Sequence, residues 1–362
     1  MEILTTAFWA LLVLGVLIFV HEMGHFLVAR WCGVRVEVFS IGFGPQILSW
    51  TAKGDNGTNY RISAVPLGGF VKMLGESQGE GEVVDEVDRP FAFSFKPLWQ
   101  RFAIVFAGPA FNFLFAIVAF AGLAMTGIQE ALPVVGQVGE ETPAAHAGLL
   151  SGDHITHING EAIDRWATMS DRIKSSDGNG MRFTIMRESE IFETVITPEI
   201  REVPNLFGEP KKVPLIGVSQ GSSSVMVQYN PVESLVIGVE RTWMVSHLIV
   251  QGIWKMITQV VDPAQIGGPL LIAEMAGKTA SQGTADLLYF MAFISINLGI
   301  LNLLPIPILD GGHLFFFLIE GIKRTPVHLQ VQEFANRAGL VFLVCLMVLA
   351  FYNDLVRLFF TG

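Results

Sequence analysis

The stretch from Phe8 to Arg30, FWALLVLGVLIFVHEMGHFLVAR, constrains this chain more than any other. It is an apolar run long enough to cross a bilayer, yet its second half carries His21, Glu22 and His25. An ionisable side chain at the bilayer centre costs about 2.5–3.5 kcal/mol on insertion scales, so its presence there points to chemistry rather than to spanning. The spacing says which chemistry. On a helix His21 and His25 share a face and converge on one point. Glu22 is rotated by about a third of a turn, where it reaches a water on a bound metal without being a ligand. H-E-x-x-H is the pattern in which zinc lowers the pKa of its bound water toward ~7 and the glutamate takes the proton and returns it to the leaving amine.

The rest of the composition places this helix in a membrane protein. Of 362 residues, 51% are hydrophobic and only 15% charged, with a mean hydropathy of +0.50. A net charge of -10 without a basic stripe excludes nucleic acid as a partner. Cys32 and Cys345 lie beside or within apolar runs and suggest no disulfide framework. The N-terminus lacks a basic n-region and its apolar run is too long for a signal peptide, so no cleavage is expected.

Four stretches have the length of a span: Ala7 to Ala29, Phe102 to Met125, Leu287 to Leu309 and Leu340 to Leu358. Lysine and arginine cluster after the first and third and before the second and fourth, as Arg30 and Arg35, Lys323 and Arg324, Lys96 and Arg101, and Arg337. By the positive-inside rule those ends are cytoplasmic, and both termini and the long loop after the second span lie outside. The predicted fold class is a mainly α-helical polytopic membrane protein of about four transmembrane helices. It also carries a cytoplasmic membrane-associated β-hairpin region and one extracytoplasmic α+β PDZ-like domain.

The expected divisions follow the texture of the chain. Residues 1–33 hold the first span, and 34–75 a sheet of hairpins made from VRVEVFSI, PQILSW and NYRISAV around the turn-rich GDNGT. Residues 76–100 read as an acidic, glycine-rich linker and 101–128 as the second span. In 129–200, strand-like PVVGQV, HITHING, MRFTIMR and IFETVIT surround a helical ATMSDRIKSS, which suggests a small α+β module. Its block AGLLSGDHITHINGEAI resembles the core of PDZ domains, modules that bind peptides by β-augmentation. Residues 201–230 read as a linker. In 231–282, Glu233, Glu240, His247, Gln251 and Lys255 recur at helical spacing, which predicts an amphipathic interfacial region lying flat. Residues 283–320 hold the third segment, and 321–362 a cytoplasmic turn and the fourth span.

A zinc site of this kind needs a third protein ligand and an open position. NLLPIPILDGGH, Asn302 to His313, supplies the strongest candidate in Asp310, an acidic residue at the inner end of an apolar run. Pro305 and Pro307 break the helix just before it. His313 is a rival ligand further toward water, and a helix cap is the alternative role for Asp310. Asn297 and Asn302, polar residues in the same segment, either hold a substrate backbone during attack or bridge helices.

Taken in order, these motifs resemble the site-2 protease family of intramembrane zinc metalloproteases, and within it the bacterial regulator of sigma-E protease type. The resemblance rests on His21-Glu22-x-x-His25, Pro66-Leu67-Gly68-Gly69-Phe70-Val71-Lys72-Met73 and Gly108-Pro109-x-x-Asn112. It continues through the PDZ-like module, Gly268-Pro269, and Asn302-x-x-Pro305-x-Pro307-x-Leu309-Asp310-Gly311. It implies zinc on His21, His25 and Asp310, acid–base work by Glu22, a membrane-embedded hairpin in 34–74, and cleavage in or beside a substrate's transmembrane helix. The implied substrates are single-span membrane proteins, such as an anti-sigma factor already trimmed by another protease, or signal-peptide remnants, in the bacterial inner membrane. One PDZ-like module stands where the best-known form has two. The rival readings are a membrane-anchored zinc peptidase acting on soluble or lipidated peptides, and a non-catalytic scaffold presenting the PDZ-like module to a peptide ligand.

Overall fold

The computed structural model describes residues 2–51, 57–76, 84–176, 178–205, 207–262, 264 and 267–361. The GDNGT turn and the acidic stretch after Glu76 fall partly outside them. The chain divides into two compact units, 1–123 with 232–362, and 124–231.

In the first unit, α1 (Glu2–Trp31) is followed by two long strands, β1 (Val36–Thr51) and β2 (Asn59–Met73). They pair antiparallel and fold back on each other. Phe39 pairs with Val71 on one side and Tyr60 on the other, and Tyr60 pairs in turn with Trp50. The two strands thus make four ladder segments, with 69–73 and 46–51 at the edges. Residues 84–97, expected as part of a linker, are instead pinned to this sheet. Phe93 N–H donates to the Leu74 carbonyl (2.8 Å), and Ala92 and Phe93 are buried. Apolar side chains at these positions gain more by packing than an acidic linker gains by solvation.

The second long helix is α2 (Leu98–Thr126), with Pro109 inside it. The second unit then adds β3 (Ile128–Ala131), β4 (Val135–Val138), α3 (Pro143–His146), β5 (His154–Ile158), β6 (Glu161–Ala162), α4 (Trp166–Lys174), β7 (Met181–Arg187) and β8 (Glu190–Ile196). It continues with β9 (Glu199–Pro204), β10 (Pro210–Leu215), β11 (Val218–Gln220) and β12 (Ser224–Val227). A four-stranded sheet runs β6-β5-β7-β8, and its alternating apolar faces enclose Ile155, Phe183, Ile185, Ile196 and Met169. The linker expected at 201–230 is corrected here. β9 and β10 form a hairpin, while β11 pairs with β4 and β12 with β3, so the chain after 200 closes the module it was expected to leave. Short strands without long apolar alternation left no period-two signal to read.

Back in the first unit come α5 (Pro231–Ile257), α6 (Pro269–Gln282), α7 (Thr284–Leu303), α8 (Asp310–Lys323) and α9 (Leu329–Val356). Among the described residues, four helices are long and apolar enough to cross a membrane: Leu4–Trp31, Leu98–Thr126, Thr284–Leu303 and Leu329–Phe359. The region 231–282, expected as an interfacial region, contains two helices, each packed on these. α5 buries Ser234, Gly238, Thr242 and Val245, with Gly238 directly against the Ile117 carbonyl of α2 and Val245 in a cluster with Ala292 and Ile296 of α7. Small residues permit that close approach, and Glu233, Glu240, His247 and Gln251 stay exposed. α6 packs Ala276 against Ala10 and Val13 of α1, and its N-terminus is held by the buried Asp354 carboxylate through Gly268, Leu270 and Leu271 N–H groups (2.8–3.2 Å).

Candidate metal centre

The site is assembled by α1, α2 and the break between α7 and α8. His21 and His25 lie one turn apart on α1, on the face toward α2, and with Glu22 they are among the few buried polar residues. Glycines bring the two helices together. A Cβ on Gly24 would sit 2.3 Å from the Ala107 carbonyl oxygen, and one on Gly108 would sit 2.3 Å from His25 Nε2. No other residue leaves room for the imidazoles.

The third donor arrives through irregular backbone. α7 stops at Leu303, where Leu304 turns to extended geometry ahead of Pro305 and Pro307. Ile308 takes φ 82°, a conformation that a β-branched residue adopts only under strain. α8 then begins with Asp310 as its first residue, so the helix dipole also favours its carboxylate. Asp310 Oδ2 lies 3.2 Å from His21 Nε2, and Oδ1 lies 3.5 Å from His25 Nε2. The two Nε2 atoms are 3.3 Å apart.

These separations suit one tetrahedral ion. Two nitrogens each ~2.1 Å from zinc and subtending a tetrahedral angle stand ~3.4 Å apart. Among the described residues, His21, His25 and Asp310 form the group that could hold a metal. His313, one turn further along α8, is outside that group and lines the same cavity of about 910 Å³. Asn302 also lines it, with its Nδ2 3.4 Å from His21 Nε2, whereas Asn297 does not reach it.

Two further contacts carry roles the sequence did not assign. His25 Nδ1 is 2.9 Å from the Ile104 carbonyl, and His21 Nδ1 is 3.0 Å from Asn112 Nδ2, both on α2. Gly108-Pro109-x-x-Asn112 was visible as a motif, but only the fold shows that its first and last residues face the two histidines. Gly69, in the edge segment of β2, passes so close to Glu22 that a Cβ there would be 2.8 Å from Glu22 Cγ. Arg101 at the start of α2 grips Glu320 of α8 through two hydrogen bonds (2.5 and 3.2 Å) on the polar side of the cavity.

A helix-borne pair of histidines, an adjacent glutamate and a carboxylate from a broken helix define a membrane metallohydrolase of the H-E-x-x-H class. The comparison with known proteins narrows the class: the profile of Peptidase family M50 matches residues 9–346, and the chain belongs to that family, the site-2 proteases. It is a zinc metalloprotease. It is 38% identical over 357 residues to a protein of Mesorhizobium japonicum named "Putative zinc metalloprotease", covering 95% of this chain and 97% of that one. It is 34% identical to the regulator of sigma-E protease RseP of Escherichia coli K12, covering 95% of this chain and 97% of the relative. That alignment runs over 445 positions against a chain of 362, so the relative has segments without a counterpart here. Among solved structures, the PDZ domain of an SdrC-like protein from Listeria innocua is 24% identical, with a TM-score of 0.21, covering 26% of this chain and 97% of that domain.

Proposed function

We propose that the chain is an intramembrane endopeptidase that cuts single-span membrane proteins within or beside their transmembrane segment. The reading is carried by one observation: the three donors converge to 3.2–3.5 Å of each other at a cavity walled by helices of membrane-spanning length.

His21, His25 and Asp310 would hold the zinc, which supplies the Lewis acidity that brings a water's pKa toward ~7. Glu22 would take the proton from the attacking water and return it to the leaving amine. In this reading Asn302, on the cavity wall, donates its amide N–H to the substrate carbonyl as charge develops there. The substrate must unwind to expose an amide, and the edge position of Gly69, Phe70 and Val71 in the sheet, beside Glu22, offers an extended backbone a strand to align with. Arg101, Glu320, Gln332 and Glu333 give the cavity a polar side through which water enters.

In this reading the polar side faces the cytoplasm of a bacterial inner membrane, and both termini and the 124–231 module lie outside. The module acts as a PDZ-like domain that binds a peptide or excludes substrates not yet trimmed. The test is reconstitution in lipid vesicles with a single-span substrate. Cleavage inside the span supports the proposal; activity confined to soluble peptides would contradict it.

A further inference from the structure

We infer that Asn112 is a positioning residue of the zinc centre, holding His21 in the tautomer that presents Nε2 to the metal. The inference rests on the zinc reading above and extends it to a residue outside the ligand set.

A neutral imidazole that binds a metal through Nε2 keeps its one proton on Nδ1, and that N–H needs an acceptor. For His25 the acceptor is built into the backbone, since its Nδ1 stands 2.9 Å from the Ile104 carbonyl, which can only accept. For His21 the group at hand is the Asn112 amide, 3.0 Å from Nδ1. Asn112 is 0% exposed, so no bulk water substitutes for it. Its Oδ1 is buried without a hydrogen-bond partner among the described residues. Turning the amide over by 180° therefore breaks no hydrogen bond of the oxygen and places that oxygen on His21 Nδ1–H, with the shape of the side chain unchanged.

The mount of this residue is rigid. Ser295 of α7, itself fully buried, donates its hydroxyl to the Asn112 backbone carbonyl at 2.9 Å, tying this turn of α2 to the helix that leads to Asp310. Gly108, one turn earlier, keeps the face beneath the imidazoles clear. α2 thus supplies an acceptor for each histidine: a fixed carbonyl for His25 and an amide for His21.

The test compares Asn112→Leu, which keeps the shape and removes the acceptor, with Asn112→Asp, which keeps an acceptor. In detergent-purified full-length protein, zinc affinity by chelator competition is expected to fall about 10–100-fold in Asn112→Leu. The visible absorption of the cobalt-substituted protein is expected to change with it, while Asn112→Asp stays within about threefold of wild type. Wild-type affinity in the leucine variant, or an equal loss in the aspartate variant, overturns the inference. If Asn112→Leu does not accumulate, NMR of histidine-labelled, zinc-loaded protein decides: a His21 Nδ1 proton shifted downfield by a hydrogen bond and moved by Asn112→Asp supports the assignment, and one that Asn112→Asp leaves unmoved overturns it. A wild type that holds no zinc would sink the centre itself, whereas a zinc site indifferent to Asn112 sinks only this inference.

Discussion

His21 Nε2 and Asp310 Oδ2 lie 3.2 Å apart, although one belongs to the first long helix and the other opens a helix after the chain has broken at two prolines. A carboxylate and an imidazole held this way, with a second imidazole at 3.5 Å, form a preorganised donor set. Glu22 stands outside that set and beside a strand edge.

Glu22→Gln removes the proton acceptor and no ligand. Cleavage of a single-span substrate is expected to fall by about 10²–10⁴-fold, with zinc content unchanged by metal analysis. A variant cutting at the normal rate would show that the base lies elsewhere.

Gly108→Ala puts a methyl group 2.3 Å from His25 Nε2 and 2.8 Å from the His21 ring, so both imidazoles must shift to admit it. Zinc content and activity should drop together by more than about tenfold, on the scale of a lost positioning contact, while the protein still extracts into detergent as a folded species.

Arg101 and Glu320 tie the start of α2 to the helix that carries Asp310, and Arg101 also covers the Phe317 ring at 5.2 Å. Removing either partner leaves the other charge uncompensated in a half-dry site. A double-mutant cycle on thermal unfolding should return a coupling of about 0.5–3 kcal/mol. A coupling of zero would mean that the pair is ornamental.

In the 124–231 unit, Asp153 is 1% exposed and accepts from Arg187 (2.7 and 2.8 Å) and from Leu150 N–H (2.8 Å). Burial alone would raise its pKa, but the Arg187 and Leu150 hydrogen bonds outweigh it and hold the carboxyl below the ordinary value. A depressed folded-state pKa contributes stability that is present above the unfolded value near ~3.9 and is lost as the pH falls through the folded one. Hydrogen exchange in β5 and β7 of the full-length protein should therefore stay slow at pH 5 and quicken below about pH 4. Asp153→Ala, which leaves the Leu150 N–H unsatisfied, should cost about 1–3 kcal/mol and remove that pH dependence.

The site was more legible than the frame around it. His21, Glu22 and His25 announce themselves because a bilayer penalises them, and Asp310 because two prolines and two glycines surround a lone carboxylate. Asn112 gave no such signal. Its partner is a nitrogen on another helix, and the two come within 3.0 Å because α1 and α2 approach closely at Gly24 and at Gly108. The chain after 200 was misread for a different reason: β11 and β12 are too short to show alternation, and their partners β4 and β3 lie far back in sequence. α5 was read by its polar stripe, but Ser234, Gly238 and Thr242 on the opposite side decide what it packs against.

In the proposed centre zinc sits on His21, His25 and Asp310 and not on His313. Metal analysis of purified wild type, Asp310→Ala and His313→Ala tests it most directly. About one zinc per chain is expected in wild type and His313→Ala, and close to none in Asp310→Ala, as a site built on three protein ligands requires. Full zinc in Asp310→Ala, or its loss in His313→Ala, would contradict the assignment.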